Sequence, residues 1–222
     1  MAYTLATVRD AVRDIKLDDP EYEASVVDRF INDAQREIFN SYELPFSEKV
    51  FTGTLPSGDY IFDFPDDYQL SQSLKIVDPE ANIRTLNDYY LPFRQFNEQF
   101  PFPSTRDVGT PTYWTTHSNK LYFSQPTDQV YQLSTWYIKT PTLLEDDLDV
   151  PEVPEEFSEA LILGATMRVQ KRNEDYDLAA ALNQDYIAQT DLMQMRLGKR
   201  QTGTPTVMGQ PQRAGRKAPR RN

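Results

Sequence analysis

Few residues in this chain could do covalent chemistry. Cysteine is absent from the 222 residues, and histidine occurs once, at His117. Without cysteine there are no disulfides, thiolate zinc sites or cysteine nucleophiles. A histidine relay has one residue to start from. His117 lies between Thr116 and Ser118 in what reads as a hairpin tip. As a general base it would need a carboxylate or a nucleophile beside it. Its neighbours favour the plainer reading of an exposed turn residue. Glu145-Asp146-Asp147-Leu148-Asp149, with Glu152, Glu155 and Glu156 behind it, is dense enough in carboxylates for a cation. It lacks the alternating ligands and central glycine of a calcium loop, and prolines interrupt it. A solvated acidic linker ahead of a helix start is expected. Glu37 with Glu43, or Asp66 with Asp67, could be paired for sugar hydrolysis, which needs two carboxyls about 5–10 Å apart across a cleft. Among 34 acidic residues such pairs arise by chance. Eight glycines against 16 prolines also argue against glycine-rich phosphate loops.

Charge is placed unevenly. The chain has 23 basic and 34 acidic residues, a net of −11. Residues 196–222 hold eight basic side chains and no acid, which leaves 15 basic against 34 acidic, or −19, on the first 195. An acidic body with a basic end implies a partner surface rather than a catalytic mechanism. The tail is rich in Gly, Pro and Gln without apolar periodicity, so it cannot bury enough apolar area to offset its ordering entropy. Three roles are open to it. It could bind nucleic acid by releasing counterions from phosphate, though it lacks interleaved aromatics. It could be a solubilising extension, or it could dock on an acidic protein surface.

The elements that must carry these residues are legible from periodicity. Leu5, Val8, Val12 and Ile15 predict a helix over 4–15, and Asp18-Asp19-Pro20 ends it. A second helix over 21–42 places Val27, Phe30, Ala34, Ile38 and Tyr42 on one stripe, with Arg29, Asn32, Asp33 and Arg36 off it. From 48 to 140 the residues favour strands and turns. Lys49–Thr52 and Tyr60–Phe64 predict one hairpin about Leu55–Asp59, and 112–115 with 120–123 a second. Leu74–Val77 reads as a short strand, 89–100 as a short helix broken by Pro92, and Tyr131–Ile138 as the longest strand. Helix returns after Pro154, with Glu155 and Glu156 at its positive end, and apolar residues surround it. Asn173 breaks it, and a last helix over 174–197 is expected to stop at Gly198. No apolar run approaches the roughly 18 residues needed to span a bilayer. Met1–Thr4 lacks the features of a signal peptide. A soluble protein made in the cytosol is expected.

One ordered set of segments resembles a known family. Phe30-Ile31-Asn32-Asp33-Ala34-Gln35-Arg36-Glu37-Ile38 is similar to the second helix of tailed-phage head-to-tail adaptor (connector) proteins. Tyr60–Tyr68, Gly109–Trp114, Lys120–Pro126, Tyr137–Pro141 and Val153–Phe157 leading into Ala160–Ala165 follow in the same order. The resemblance spans about residues 4–195. It implies an α+β fold: N-terminal helices (1–45) and C-terminal helices (151–198) form one bundle, a β-rich, sandwich-like insertion (46–150) interrupts it, and an extended basic tail (199–222) follows. It implies a ring, expected to be of twelve copies, under the portal protein. The C-terminal segment would reach into the portal, with tail or further connector proteins below. DNA would pass without sequence-specific binding, there would be no membrane contact, and the place would be the head-tail junction of the virion. It implies no cofactor. Charge then nominates Arg213, Arg216, Lys217, Arg220 and Arg221 as portal-binding residues. The expected protein is structural and not an enzyme. A phage-tail-associated peptidoglycan hydrolase is the alternative, and it requires a carboxylate pair converging in one pocket.

Overall fold

A computed structural model describes residues 3–15, 23–41 and 44–201, with side chains to Leu197. The fold is α+β. Helices α1 (Leu5–Asp14) and α2 (Ala24–Ser41) precede seven strands, and α4 (Ser158–Arg172) and α5 (Tyr176–Gln201) follow them. Leu5, Val8 and Val12 of α1 are buried together with Val27, Ile31 and Ala34 of α2. Intervals of three and four put these residues on one face of each helix. Helix α4 lies between α1 and α2 on one side and α5 on the other, so most of its residues from Ala160 to Gln170 are buried. Leu161, Ala165 and Val169 pack toward α1 and α2, while Ala160, Leu163 and Met167 pack with α5 residues Leu182, Tyr186 and Met193. Gly164 sits where α2 and α5 both close on α4. A Cβ there would lie 3.0 Å from the Tyr186 ring and 3.1 Å from the Ala34 Cβ.

Two expectations at the helices need correction. Asn32 is not off the core but buried, as is Gln35, because both side chains bond the main chain of a later segment. Helix α5 does not stop at Gly198 but continues to Gln201. Tertiary packing of the preceding turns offsets the roughly 1 kcal/mol that a helical glycine costs. Asn173 does end α4, and Glu174 follows it at φ 62°.

The strands form two sheets. One has the order β1-β7-β3-β4, the other β2-β6-β5. They are β1 (Glu48–Leu55), β2 (Ile61–Asp63), β3 (Tyr68–Val77), β4 (Ile83–Thr85), β5 (Trp114–His117), β6 (Lys120–Phe123) and β7 (Tyr131–Lys139). The short helix α3 (Phe93–Gln99) starts just after Pro92. The first expected hairpin does not form. The turn is there, with Gly58 at φ 87°, but it carries the chain between sheets: β1 pairs with β7 along its whole length, and β2 pairs with β6. The tip of the Phe62 ring packs against Gly53, where a Cβ would meet its Cζ at 2.3 Å, and β1 and β2 lie in different sheets. The second hairpin does form. Ser118 and Asn119 take positive φ of 49° and 60°, as a two-residue hairpin turn requires, and His117 ends β5 opposite Lys120.

The longest strand is β3, with 10 residues against 9 in β7. Its first half is polar and shifts register between Tyr68 and Leu70 and again between Ser71 and Ser73. Those bulges hide the period-two pattern that identifies a strand. Leu55, Leu74, Ile76, Leu121, Phe123, Tyr131 and Leu133 fill the space between the sheets.

Candidate interaction surface

The segment between β7 and α4 is fastened as a strap across α1 and α2, while its acidic run over 145–148 stays solvent-exposed ahead of the helix start, as expected. Asn32 donates from Nδ2 to the Leu144 carbonyl at 3.0 Å and accepts the Leu144 N–H at 2.9 Å. Gln35 does the same across the strap, donating to the Thr142 carbonyl at 3.1 Å and accepting the Glu152 N–H at 2.9 Å. The Asp149 carbonyl accepts the Leu5 N–H at 2.8 Å and the Asp147 carbonyl accepts the Ala6 N–H at 3.2 Å. The strap thereby satisfies two donors that the start of α1 leaves open. Arg9 bonds both Asp28 oxygens at 2.6 and 2.9 Å and reaches Asp147 at 2.8 Å. Asp149 accepts the N–H groups of Glu145 and Asp146, and these bonds hold its carboxyl below the usual aspartate range. Burial works to raise Glu152, but its bonds with Lys139 and the Thr142 N–H outweigh that and lower it. Within the acidic run, Asp147, Asp149 and Glu152 are thus engaged in holding the local fold.

The other sequence-nominated groups do not converge. His117 stacks on Phe93, with ring centroids 3.9 Å apart and 12° between planes. Glu37 is ion-paired with Arg168 of α4, and Glu43 lies outside the described residues. Asp66 is exposed, while Asp67 accepts from Lys49 Nζ at 2.7 Å and from the Tyr137 hydroxyl at 2.8 Å. Burial opposes the ionised Asp67, but those two bonds hold it below the ordinary value. Burial and the neighbouring carboxylate push Tyr137 up to about 12. Among the described residues, no three His, Asp or Glu side chains are grouped to hold a metal ion, and no helix is long and apolar enough to cross a membrane. Arg213, Arg216, Lys217, Arg220 and Arg221 lie outside the described residues.

What the surface offers instead is uncovered apolar area. Val50 and Trp136 are cross-strand neighbours on the outer face of the four-stranded sheet, with Leu70 on the next strand. Trp136 is 51% exposed. Helix α5 packs against α4 yet bears Tyr176, Ile187 and Met195 on its outside, all about half exposed or more. Tyr89, Tyr90, Phe93 and Tyr113 form an aromatic rim around α3. Exposed aromatic and apolar patches of this kind mark protein contact sites. The sequence carried one signal for the first patch, in the Gln132-Ser134-Trp136 alternation, where a tryptophan falls on the polar face. No curated protein matches the chain. The pattern of the SU10 adaptor protein family matches residues 3–213, nearly the whole length. The ordered helix and strand segments, the strap that ties them and the uncovered contact faces therefore belong to a member of the SU10 adaptor protein family, a family of phage head-to-tail adaptors.

Proposed function

We propose that this adaptor forms an oligomeric ring, of twelve copies, that joins the portal protein to the tail or to further connector proteins and continues the DNA channel. The observation that carries the reading is helix α5. It packs chiefly on α4, yet its outward residues Tyr176, Ile187 and Met195 are apolar, and a neighbouring copy would cover them. The net charge of −19 on residues 1–195 suits a channel wall, because a negative surface repels the DNA phosphates and lets the duplex slide. The basic tail would dock on an acidic portal surface through Arg213, Arg216, Lys217, Arg220 and Arg221, at the head-tail junction of the virion. The proposal contains no catalytic step and no cofactor. A peptidoglycan hydrolase reading finds no support in Glu37 or in Asp66 and Asp67, since Glu37 and Asp67 are committed to Arg168 and to Lys49 with Tyr137.

The test is native mass spectrometry and electron microscopy of the protein with its portal protein. A closed ring on the portal is the expected result. A portal mixed with excess protein that stays bare would overturn the reading.

A further inference from the structure

The four-stranded sheet ends in two open edges, β1 and β4. Its bonding pattern fixes which main-chain groups they expose. The Leu86 N–H donates to the Leu74 carbonyl, and the Asp78 N–H to the Asn82 carbonyl. Antiparallel pairs alternate between bonded and non-bonded. Arg84 is therefore bonded to Ile76, and Ile83 and Thr85 turn their N–H and carbonyl groups away from β3. The same alternation carries across the sheet. Lys75 faces Ser134 of β7, so Thr135 faces Phe51 of β1. Val50, Thr52 and Thr54 then turn their main-chain groups to the opposite open edge. Among the described residues, no other segment bonds these groups.

Strand β1 lacks the guards that sheet edges usually carry. From Val50 to Leu55 it has no charge and no proline, and its register with β7 has no bulge. Val50 is 51% exposed, and Ile83 on the other edge is 69% exposed. Across the rows that join Val50, Thr52 and Thr54 to Ile83 and Thr85, the outer face carries one charged side chain, Lys75. Over the whole chain 26% of residues are charged. Charge depletion around an exposed Trp136 is the composition of an interface core.

We propose that β1 of one copy pairs with β4 of the next, so that the sheets of neighbouring copies run on as one. The inference rests on the ring reading above. A ring built by rotation needs two different surfaces that meet head to tail, and β1 and β4 are such a pair on opposite margins of one sheet. Every neighbour in the order β1-β7-β3-β4 is antiparallel. Strands β1 and β4 therefore run in opposite directions, and a β1–β4 junction between copies keeps the alternation unbroken. The residues with open groups on both edges carry their side chains on the outer face, so the junction also joins outer face to outer face. Strand β4 is only 3 residues long, so this pairing adds to the α5 contact and does not replace it.

The chain has no cysteine, so introduced thiols react specifically. Full-length Thr52→Cys and Thr85→Cys proteins are mixed, with the portal protein and again without it at high concentration. A bismaleimide about 8 Å long reaches both directly opposite and diagonal cross-strand neighbours. The expected product is a pair of one Thr52→Cys chain and one Thr85→Cys chain, absent when either variant is treated alone. Val50→Pro in the Thr52→Cys chain removes an N–H that the fold does not use, and should lower the cross-linked yield about tenfold. Thr54→Lys, which only adds a charge to the edge, should act in the same direction. The proposal is overturned if the mixed chains do not cross-link, whether or not rings are seen. Rings without the cross-link keep the ring reading and remove this one, and the cross-link without rings does the reverse. It is also overturned if Thr52→Cys alone gives a cross-linked dimer, the mark of β1 paired two-fold with β1, or if Thr54→Lys leaves the yield unchanged.

Discussion

Asn32 and Leu144 are 112 residues apart in sequence and joined by two hydrogen bonds, amide to peptide, in a buried setting. Removing the Asn32 side chain strands a buried N–H and a buried carbonyl, each worth roughly 1–3 kcal/mol. Asn32→Ala should lower unfolding stability by about 3 kcal/mol in urea titrations. Asn32→Asp should fare no better, because its carboxylate would face the Leu144 carbonyl. A loss under about 1 kcal/mol would show that the strap is not fastened there.

Gly164 sets the crossing of α2 and α5 over α4. A larger side chain would have to push Tyr186 or Ala34 away. Gly164→Val should cost about 2–3 kcal/mol through overpacking, and a variant as stable as the parent would contradict this geometry.

Besides Ser118 and Asn119 of the hairpin turn, Ala81 at φ 64° and Glu174 at φ 62° occupy left-handed backbone. That conformation costs an L-residue about 1 kcal/mol. Glu174→Gly, at the turn that ends α4, should therefore raise stability by roughly that amount despite the extra freedom of the unfolded chain. Chemical denaturation checks it, and a destabilised variant would refute the strain argument.

Asp67 gives the fold a pH dependence of defined sign. Its folded-state pKa is lowered by Lys49 and Tyr137 against the opposing effect of burial. It contributes stability that is present above the unfolded value and lost as pH falls through the depressed one. Tyr137, raised to about 12, contributes stability present below its unfolded value near 10 and lost as pH rises through about 12. Asp67→Asn should flatten the acid limb of a plot of Tm against pH. An unchanged acid limb would mean that the Lys49–Asp67–Tyr137 cluster is not coupled to folding.

The proposed portal contacts can be separated from folding. Changing Arg213, Arg216, Lys217, Arg220 and Arg221 together to Ala should leave Tm within a degree or so, since exposed ion pairs contribute only about 0–1 kcal/mol each. Repeated around a ring, the same contacts would add through effective concentration, so the variant should give heads without tails. Infectious virions of normal appearance from this variant would remove the docking proposal.

The sequence by itself determined the helices, the α+β class, the β5–β6 turn and the family resemblance. Each rests on local information: the spacing of Leu5, Val8 and Val12, the φ > 0 tolerance needed at Ser118 and Asn119, and the order of short segments. The tertiary structure alone decided which strand lies beside which. Lys49–Thr52 and Tyr60–Phe64 look like hairpin partners because they flank a turn, yet β1 belongs with β7, some 80 residues away. Strand pairing is set by packing across the sandwich, and period-two alternation says which face is buried but not which neighbour covers it. The same holds for Asn32 and Gln35. Their residue types suggest solvent, and only the main chain of a distant segment, brought within 3 Å, makes them part of the interior.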